Sequence, residues 1–396
     1  MTLSHGRQYL AIPGPSVVPE RVLNAMHVAS ANIYEGALVD AMPGLVAGLK
    51  DLAGTGANLA FYIGNGHAVW EASLVNVIQP GDKVLALANG RFGEGWAEVA
   101  KRLGAEVQVL NFGVQSPYDY ERIAAALQGG AFKAVLAVQV DTSSTFKNDI
   151  KAVRRVMDDA GSDALLMADC VASLGCEVFE MDAWGVDVMI AASQKGLMMP
   201  PGLGFVFFSD KAASVSAAFT CPSPYWDWTD RANPRLFYQY WGGTAPTQIL
   251  TGLQQVLDMI AEEGGRQAVW ARHEKLAQAI WAACDAWGKG GDLKMNVAKA
   301  ADRSHAVTAL SLPAPLATDL RHWCETKAGV TLGIGLGMST PEDPQGHGFF
   351  RVGHMGHVNA QMIMGVLGAM DAGMKALGIA HGAGALEAAT AVLAKA

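Results

Sequence analysis

Val186-Asp-Val-Met-Ile-Ala-Ala-Ser-Gln-Lys-Gly-Leu-Met-Met-Pro-Pro-Gly-Leu-Gly-Phe-Val-Phe-Phe208 sets one lysine, Lys195, between two runs that otherwise read as protein interior. The runs at 186–191 and 204–208 are short and apolar, the mark of strands buried on both faces. Too little chain separates them for a helical crossover, so they are expected to pair antiparallel. Working outward, similar runs recur at 59–63, 83–87, 106–110, 134–140 and 164–168, with amphipathic segments such as 95–103 and 147–160 between them. Strand and helix in alternation predict an α/β fold with a mostly parallel, seven-stranded sheet sandwiched by helices.

Beyond about residue 250 the texture changes. A long helical pattern over 247–263 and 267–287 leads to scattered strands at 306–312 and 349–353 and a helix over 359–377. The expected organisation is an N-terminal segment (1–20) packing on the small domain and active site, and a large domain (21–255). A smaller α+β domain (256–380) and an Ala-rich tail (381–396), read as a loosely attached helix, complete it.

With 51% hydrophobic and 17% charged residues, the chain is that of a globular protein with a large core. Its net charge of −8, from 29 basic and 37 acidic residues, shows no Lys/Arg stripe and argues against nucleic-acid binding. No apolar run is long enough for a membrane span, and the N-terminus lacks a signal-peptide core. Five cysteines without a CxxC pair suit a reducing compartment, so a cytoplasmic location is expected and no metal site is.

Four loops carry chemistry, each read at the carboxyl end of a predicted strand, the edge where ligands of open parallel sheets bind. Gly64-Asn-Gly-His67 precedes a helix expected from about Val69 and reads either as a phosphate cradle or as a tight turn. Asp169 ends a buried run, where a carboxylate needs a cation, hydrogen bonds or an N-cap role. Lys195 either snorkels to the surface or serves chemistry, and the Pro200-Pro-Gly202 turn favours chemistry. Arg351, in an apolar strand, suits a carboxylate or an inter-domain salt bridge. One cofactor uses all four: pyridoxal 5′-phosphate needs a lysine, an acid for its ring nitrogen, a helix terminus for its phosphate and an arginine for the substrate carboxylate.

The chain resembles the fold-type I pyridoxal-phosphate enzymes of the class V aminotransferase family, nearest the alanine–glyoxylate and serine–glyoxylate aminotransferases. The resemblance runs from Ile12-Pro-Gly-Pro-Ser16 to Arg351-Val-Gly-His354. It passes through Gly64-Asn-Gly-His67, Asp169-Cys-Val-Ala-Ser-Leu-Gly175, Ser193-Gln-Lys195 and Pro200-Pro-Gly202. It implies that Lys195 holds the cofactor as a covalent imine and shuttles a proton, and that Asp169 pairs with the ring nitrogen. It further implies that Asn65, Gly66, His67 and Gln194 hold the phosphate, that Phe92 stacks on the ring and that Thr142 contacts the ring oxygen. Arg351 would grip the substrate carboxylate. Thr244 would reach the phosphate of a neighbouring subunit, which implies a homodimer with shared sites.

Departures from the family pattern bear on specificity. Asn65 stands where Ser or Thr is common, its amide still able to donate, and Trp241 replaces the usual Tyr. Asn32-Ile-Tyr-Glu-Gly36 brings Tyr34 and Glu35 toward the substrate entrance, and Trp226 and Trp228 either line that entrance or pack in the core or at the dimer contact. The expected activity is amino transfer between a small L-amino acid (serine, alanine or aspartate) and a small 2-oxo acid, glyoxylate first. Pyridoxamine–pyruvate and aminoethylphosphonate–pyruvate aminotransferases are the alternatives. A phosphonate would ask for more basic residues, for which Arg91 and Arg231 are candidates. A lyase or desulfurase would need a cysteine on a mobile loop, and Cys324 falls in a helical pattern. The presence of both Lys195 and Asp169 argues against a non-catalytic binding module.

Overall fold

The computed structural model describes residues 2–395. Among the described residues twelve strands form two sheets: β1 (Tyr9–Ala11), β2 (Asn58–Gly64), β3 (Lys83–Ala88), β4 (Glu106–Asn111), β5 (Ala134–Val138), β6 (Leu165–Asp169), β7 (Val188–Ala192), β8 (Gly202–Phe208), β9 (Lys294–Met295), β10 (Val307–Ser311), β11 (Val330–Ile334) and β12 (Phe349–Gly353). The larger sheet has seven strands in the order β2-β8-β7-β6-β5-β3-β4. Neighbours from β7 to β4 run parallel, and β8 lies antiparallel to both β7 and β2. The carboxyl ends of β2, β3, β5, β6 and β7 therefore share one edge with the start of β8.

Uninterrupted apolar runs are explained by the two cores these strands serve. Leu85, Leu87, Val135, Ala137, Leu166, Ala168, Met189 and Ala191 face one core. Their alternates Val84, Ala86, Leu136, Met167, Val188 and Ile190 face the other. With period two, both faces need apolar side chains, and burying each of the Val, Leu, Ile and Met side chains is worth about 1.5–3 kcal/mol.

The smaller sheet, β1-β11-β12-β10-β9, carries a core of its own against helices Arg266–Gly288 and Ala360–Ala376. Its edge strand β1 pairs parallel with β11, so residues 9–11 deliver the chain to the site. Helix Thr247–Glu263 still packs on the first core through Leu250, Leu253, Val256 and Ile260, so the change of core comes later than the expected boundary at 255. Gly264 and Gly265, both with positive φ, break the long helical pattern in two. The tail is not loosely held: Ala385–Leu393 is a helix whose Ala385 and Ala389 are buried in the second core, and Gly382 N–H donates to Trp287 O at 2.7 Å. Among the described residues no helix is long and apolar enough to cross a membrane.

Candidate active site

Lys195 stands in the short connection from β7 to β8. Ser193 closes that connection, its hydroxyl donating to Pro200 O at 2.8 Å and accepting from Leu203 N at 3.2 Å. Over the lysine lies the turn at residues 12–16. Ser16 Oγ donates to Lys195 O at 2.7 Å, Ser16 N to Gln194 O at 2.9 Å, and Lys195 Nζ donates to the carbonyl of Pro13. Glycine is required at 14: its φ is +102°, and a Cβ there would come within 2.6 Å of Lys195 Cε and 2.7 Å of Cδ. Burial, aided by the charge of Arg351 and opposed by Asp169, lowers the Lys195 amine to about 8.

Asp169 ends β6 with each oxygen taking one hydrogen bond, Oδ1 from Val171 N at 2.8 Å and Oδ2 from the Trp70 indole N–H at 2.7 Å. Burial outweighs both and raises its carboxyl to about 6. Trp70 reads in sequence as an ordinary core aromatic, and only its position one turn beyond His67 hints at the site. It sits on helix Gly66–Val75, which begins three residues earlier than expected because Asn65 caps it: Asn65 Oδ1 accepts from His67 N at 3.1 Å and Ala68 N at 3.4 Å. The positive end of that helix opens beside Asp169 and Lys195. The His67 ring lies 4.6 Å from Trp70 and 6.5 Å from Phe92. Its pKa is lowered by partial burial and by the charges of Arg91 and Lys195.

Phe92 lies in the first turn of helix Arg91–Arg102, which starts before the expected residue 95. The cap comes from the loop that follows β5. Asp141 Oδ2 accepts from Phe92 N at 2.8 Å and Gly93 N at 3.1 Å, while Oδ1 accepts from Ser143 N at 2.9 Å and Ser143 Oγ at 2.6 Å. The same turn meets the small sheet: Arg351 Nη1 donates to Thr142 O at 2.6 Å and Nε to Ile334 O at 2.6 Å. Arg351 makes no salt bridge among the described residues, against the inter-domain ion pair weighed for it. Burial lowers its guanidinium to about 10, with Asp141 opposing.

Lys195, Asp169, Gly66, His67, Phe92, Thr142, Gln194 and Arg351 thus gather at one sheet edge. Three others do not join them within this chain. Thr244, Tyr34 and Glu35 are exposed, with no hydrogen bond to the rest of the set among the described residues. Trp228 is not at an entrance: it is buried and stacks on Phe208 at 4.0 Å, and Trp226 packs on Tyr62. Cys324 is buried at the end of a helix. Arg231 is buried too and unavailable to a phosphonate.

The gathered residues fit pyridoxal phosphate. Asp169 lacks the cation that would hold it ionised, and Lys195 is an amine made partly neutral by its surroundings.

The family profile "Aminotransferase class-V" matches residues 59–357. The L-aspartate--glyoxylate aminotransferase of Paracoccus denitrificans is 34% identical over 379 residues, covering 93% of this chain and 91% of that protein. The serine--glyoxylate aminotransferase of Arabidopsis thaliana is 31% identical over 392 residues, 97% and 95% of the two chains. The crystal structure of pyridoxamine-pyruvate aminotransferase from Mesorhizobium loti superposes with a TM-score of 0.88 at 25% identity, covering 100% of both. The chain belongs to the class-V aminotransferases and is a pyridoxal-phosphate-dependent enzyme of fold type I.

Proposed function

We propose that this class-V aminotransferase moves the amino group of a small L-amino acid, serine, alanine or aspartate, to a small 2-oxo acid, with glyoxylate the first choice. The reading rests on the meeting of Lys195, Asp169 and Arg351 at one sheet edge, and on relatives whose names pair aspartate or serine with glyoxylate.

When bound, pyridoxal phosphate supplies the electron sink that stabilises negative charge at the substrate Cα. Asp169 would hold the ring nitrogen in its protonated form, with the Trp70 indole and the Val171 N–H keeping the carboxylate aimed. Asn65, Gly66, His67 and Gln194 would hold the phosphate at the helix N-terminus, Phe92 would stack on the ring and Thr142 would reach its oxygen. Arg351 would bind the substrate carboxylate with the edge not given to Thr142 and Ile334. Lys195 Nζ would take the proton from Cα, its lowered pKa giving a useful neutral fraction near pH 8. Pro13 O gives that amine a hydrogen-bond acceptor when it is free.

A homodimer with shared sites belongs to the same proposal. Thr244 sits in an exposed turn among exposed apolar side chains, Leu236 at 59% and Tyr238 at 49%, a surface suited to a second copy. Tyr34, 85% exposed, and Glu35 would border the substrate entrance of such an assembly.

An initial-rate panel of L-serine, L-alanine and L-aspartate against glyoxylate, pyruvate and 2-oxoglutarate tests the reading. Glycine formation from glyoxylate is expected. Failure of glyoxylate with every donor would remove it. The likeness to pyridoxamine-pyruvate aminotransferase over the full chain favours one second reading, amino transfer from pyridoxamine to pyruvate, which the same panel detects if pyridoxamine is included.

A further inference from the structure

Beside Phe92 runs a groove of about 840 Å³ whose lining includes His67, Trp70, Arg91, Phe92, Glu94 and Glu98. Its acids are committed elsewhere. Glu94 Oε1 accepts from Asn111 Nδ2 at 2.6 Å, and Glu98 pairs with Arg102 at 3.1 Å. Arg91 is not committed: it is exposed, and among the described residues its guanidinium has neither a hydrogen-bond acceptor nor a carboxylate within ion-pair reach. An exposed guanidinium without a partner, in a groove that also carries Lys101 and Arg102, makes a place for an anion.

Its position relative to Arg351 is what gives that anion an identity. The Arg91 backbone N–H donates to Ser143 Oγ at 2.8 Å, and the preceding residue, Thr142, gives its carbonyl to Arg351. The two arginines are therefore tied to successive residues of one turn. The small domain closes the other side: Arg351 Nε donates to Ile334 O, and a Cβ on Gly337 would lie 3.1 Å from Arg91 Cβ and 3.6 Å from its Cδ. Arg351 is buried, whereas Arg91 is exposed on the first turn of its helix, next to Phe92. The field of Arg91 reaches inward far enough to act on His67, as that of Lys195 does.

We infer that Arg91 binds the distal carboxylate of a dicarboxylic substrate, so that a donor of the aspartate type is selected over neutral amino acids. The inference rests on the amino-transfer reading above and narrows its donor. An α-carboxylate on Arg351 and a second acid on Arg91 use both cations. An aminophosphonate without an α-carboxylate offers one anionic group and would leave one of the two arginines unused, and a neutral amino acid would leave Arg91 unused. The exposed position makes the selection a matter of rank among donors, because a solvated guanidinium contributes less than a buried one.

The test compares the wild-type holoenzyme with Arg91→Gln and Arg91→Lys. The first measurement is kcat/KM for L-aspartate, L-serine, L-alanine and 2-aminoethylphosphonate with glyoxylate as acceptor. The second is calorimetric affinity for succinate and for propionate. Arg91→Gln is expected to lower the aspartate-to-alanine ratio of kcat/KM by about two- to fivefold, mostly through KM, with Arg91→Lys keeping a larger part of it. The succinate-to-propionate affinity ratio should fall in step. Unchanged ratios in Arg91→Gln overturn the inference, as does a wild-type preference for the aminophosphonate. If no donor turns over at all, the amino-transfer reading fails by itself, and the succinate-to-propionate ratio still decides whether Arg91 holds a second carboxylate.

Discussion

Arg231 and Arg351 are both buried guanidiniums, and the protein treats them in opposite ways. Arg231 is nearly saturated: Nη1 donates to Phe61 O at 2.7 Å and Tyr240 O at 3.3 Å, and Nη2 and Nε both donate to Tyr225 O. The rings of Tyr62 and Tyr225 lie 4.5 and 4.6 Å from its Cζ. Arg351 gives two donors to carbonyls and keeps the remainder of its fork free. The aspartates repeat the contrast. Asp141 accepts four hydrogen bonds and holds two segments together, whereas Asp169 accepts two and is left to be pushed up to about 6. A buried polar group whose valences are nearly all filled is scaffold, and one left more open in the same interior is reserved for a visitor.

That contrast can be broken from either side. On the open side, Lys195→Ala should lower kcat by about a thousandfold or more, with loss of borohydride-trappable cofactor. Its melting temperature without cofactor should not fall, since the lost amine is one whose charge burial disfavours. A variant that keeps its turnover, or that unfolds, would erase the distinction. On the saturated side, Arg231→Met should cost about 3–5 kcal/mol in denaturant unfolding, because the carbonyls of Phe61, Tyr225 and Tyr240 lose a buried donor. Arg231 ties the strand that leads to Asn65 to the turn that carries Thr244, so cofactor affinity should weaken along with stability. A loss below about 1 kcal/mol would show that the filled valences contribute little.

The same division separates what the sequence discloses from what it hides. The seven strands are legible because each of the central ones must be apolar on both faces, and Asp169, Lys195 and Arg351 stand out as charges at the ends of, or within, such runs. The edge strands β1 and β9 are three and two residues long, too short to carry a pattern, and exist through their pairing with β11 and β10. Helix Arg91–Arg102 hides its first turn behind Gly90, Gly93 and Gly95, and its cap is Asp141, far along the chain on another loop. The acceptor facing Lys195 is a backbone carbonyl at Pro13, which no side chain signals. Contacts made through carbonyls, or through caps borrowed from a distant loop, leave no trace in local residue type.

The mildest test concerns pH, and it turns on the sign of one shift. Asp169 in the cofactor-free protein titrates near 6, above the ordinary 3.8 of an unfolded aspartate. Between those values the folded state binds the proton more tightly than the unfolded one. The contribution is therefore fully present below about pH 4 and is lost as pH rises through 6, by at most about 3 kcal/mol. The cofactor's cationic ring nitrogen reverses the preference, because it favours the ionised carboxylate beside it. Cofactor affinity should accordingly strengthen as pH rises through 6, while the cofactor-free protein loses stability over the same interval. Asp169→Asn, which cannot ionise, should remove both slopes and leave the Trp70 contact an oxygen to accept it. If melting curves of the cofactor-free protein between pH 4 and 7 have the same slope in wild type and Asp169→Asn, this carboxylate is not the group held in reserve. The open valence would then belong to Lys195 and Arg351 alone.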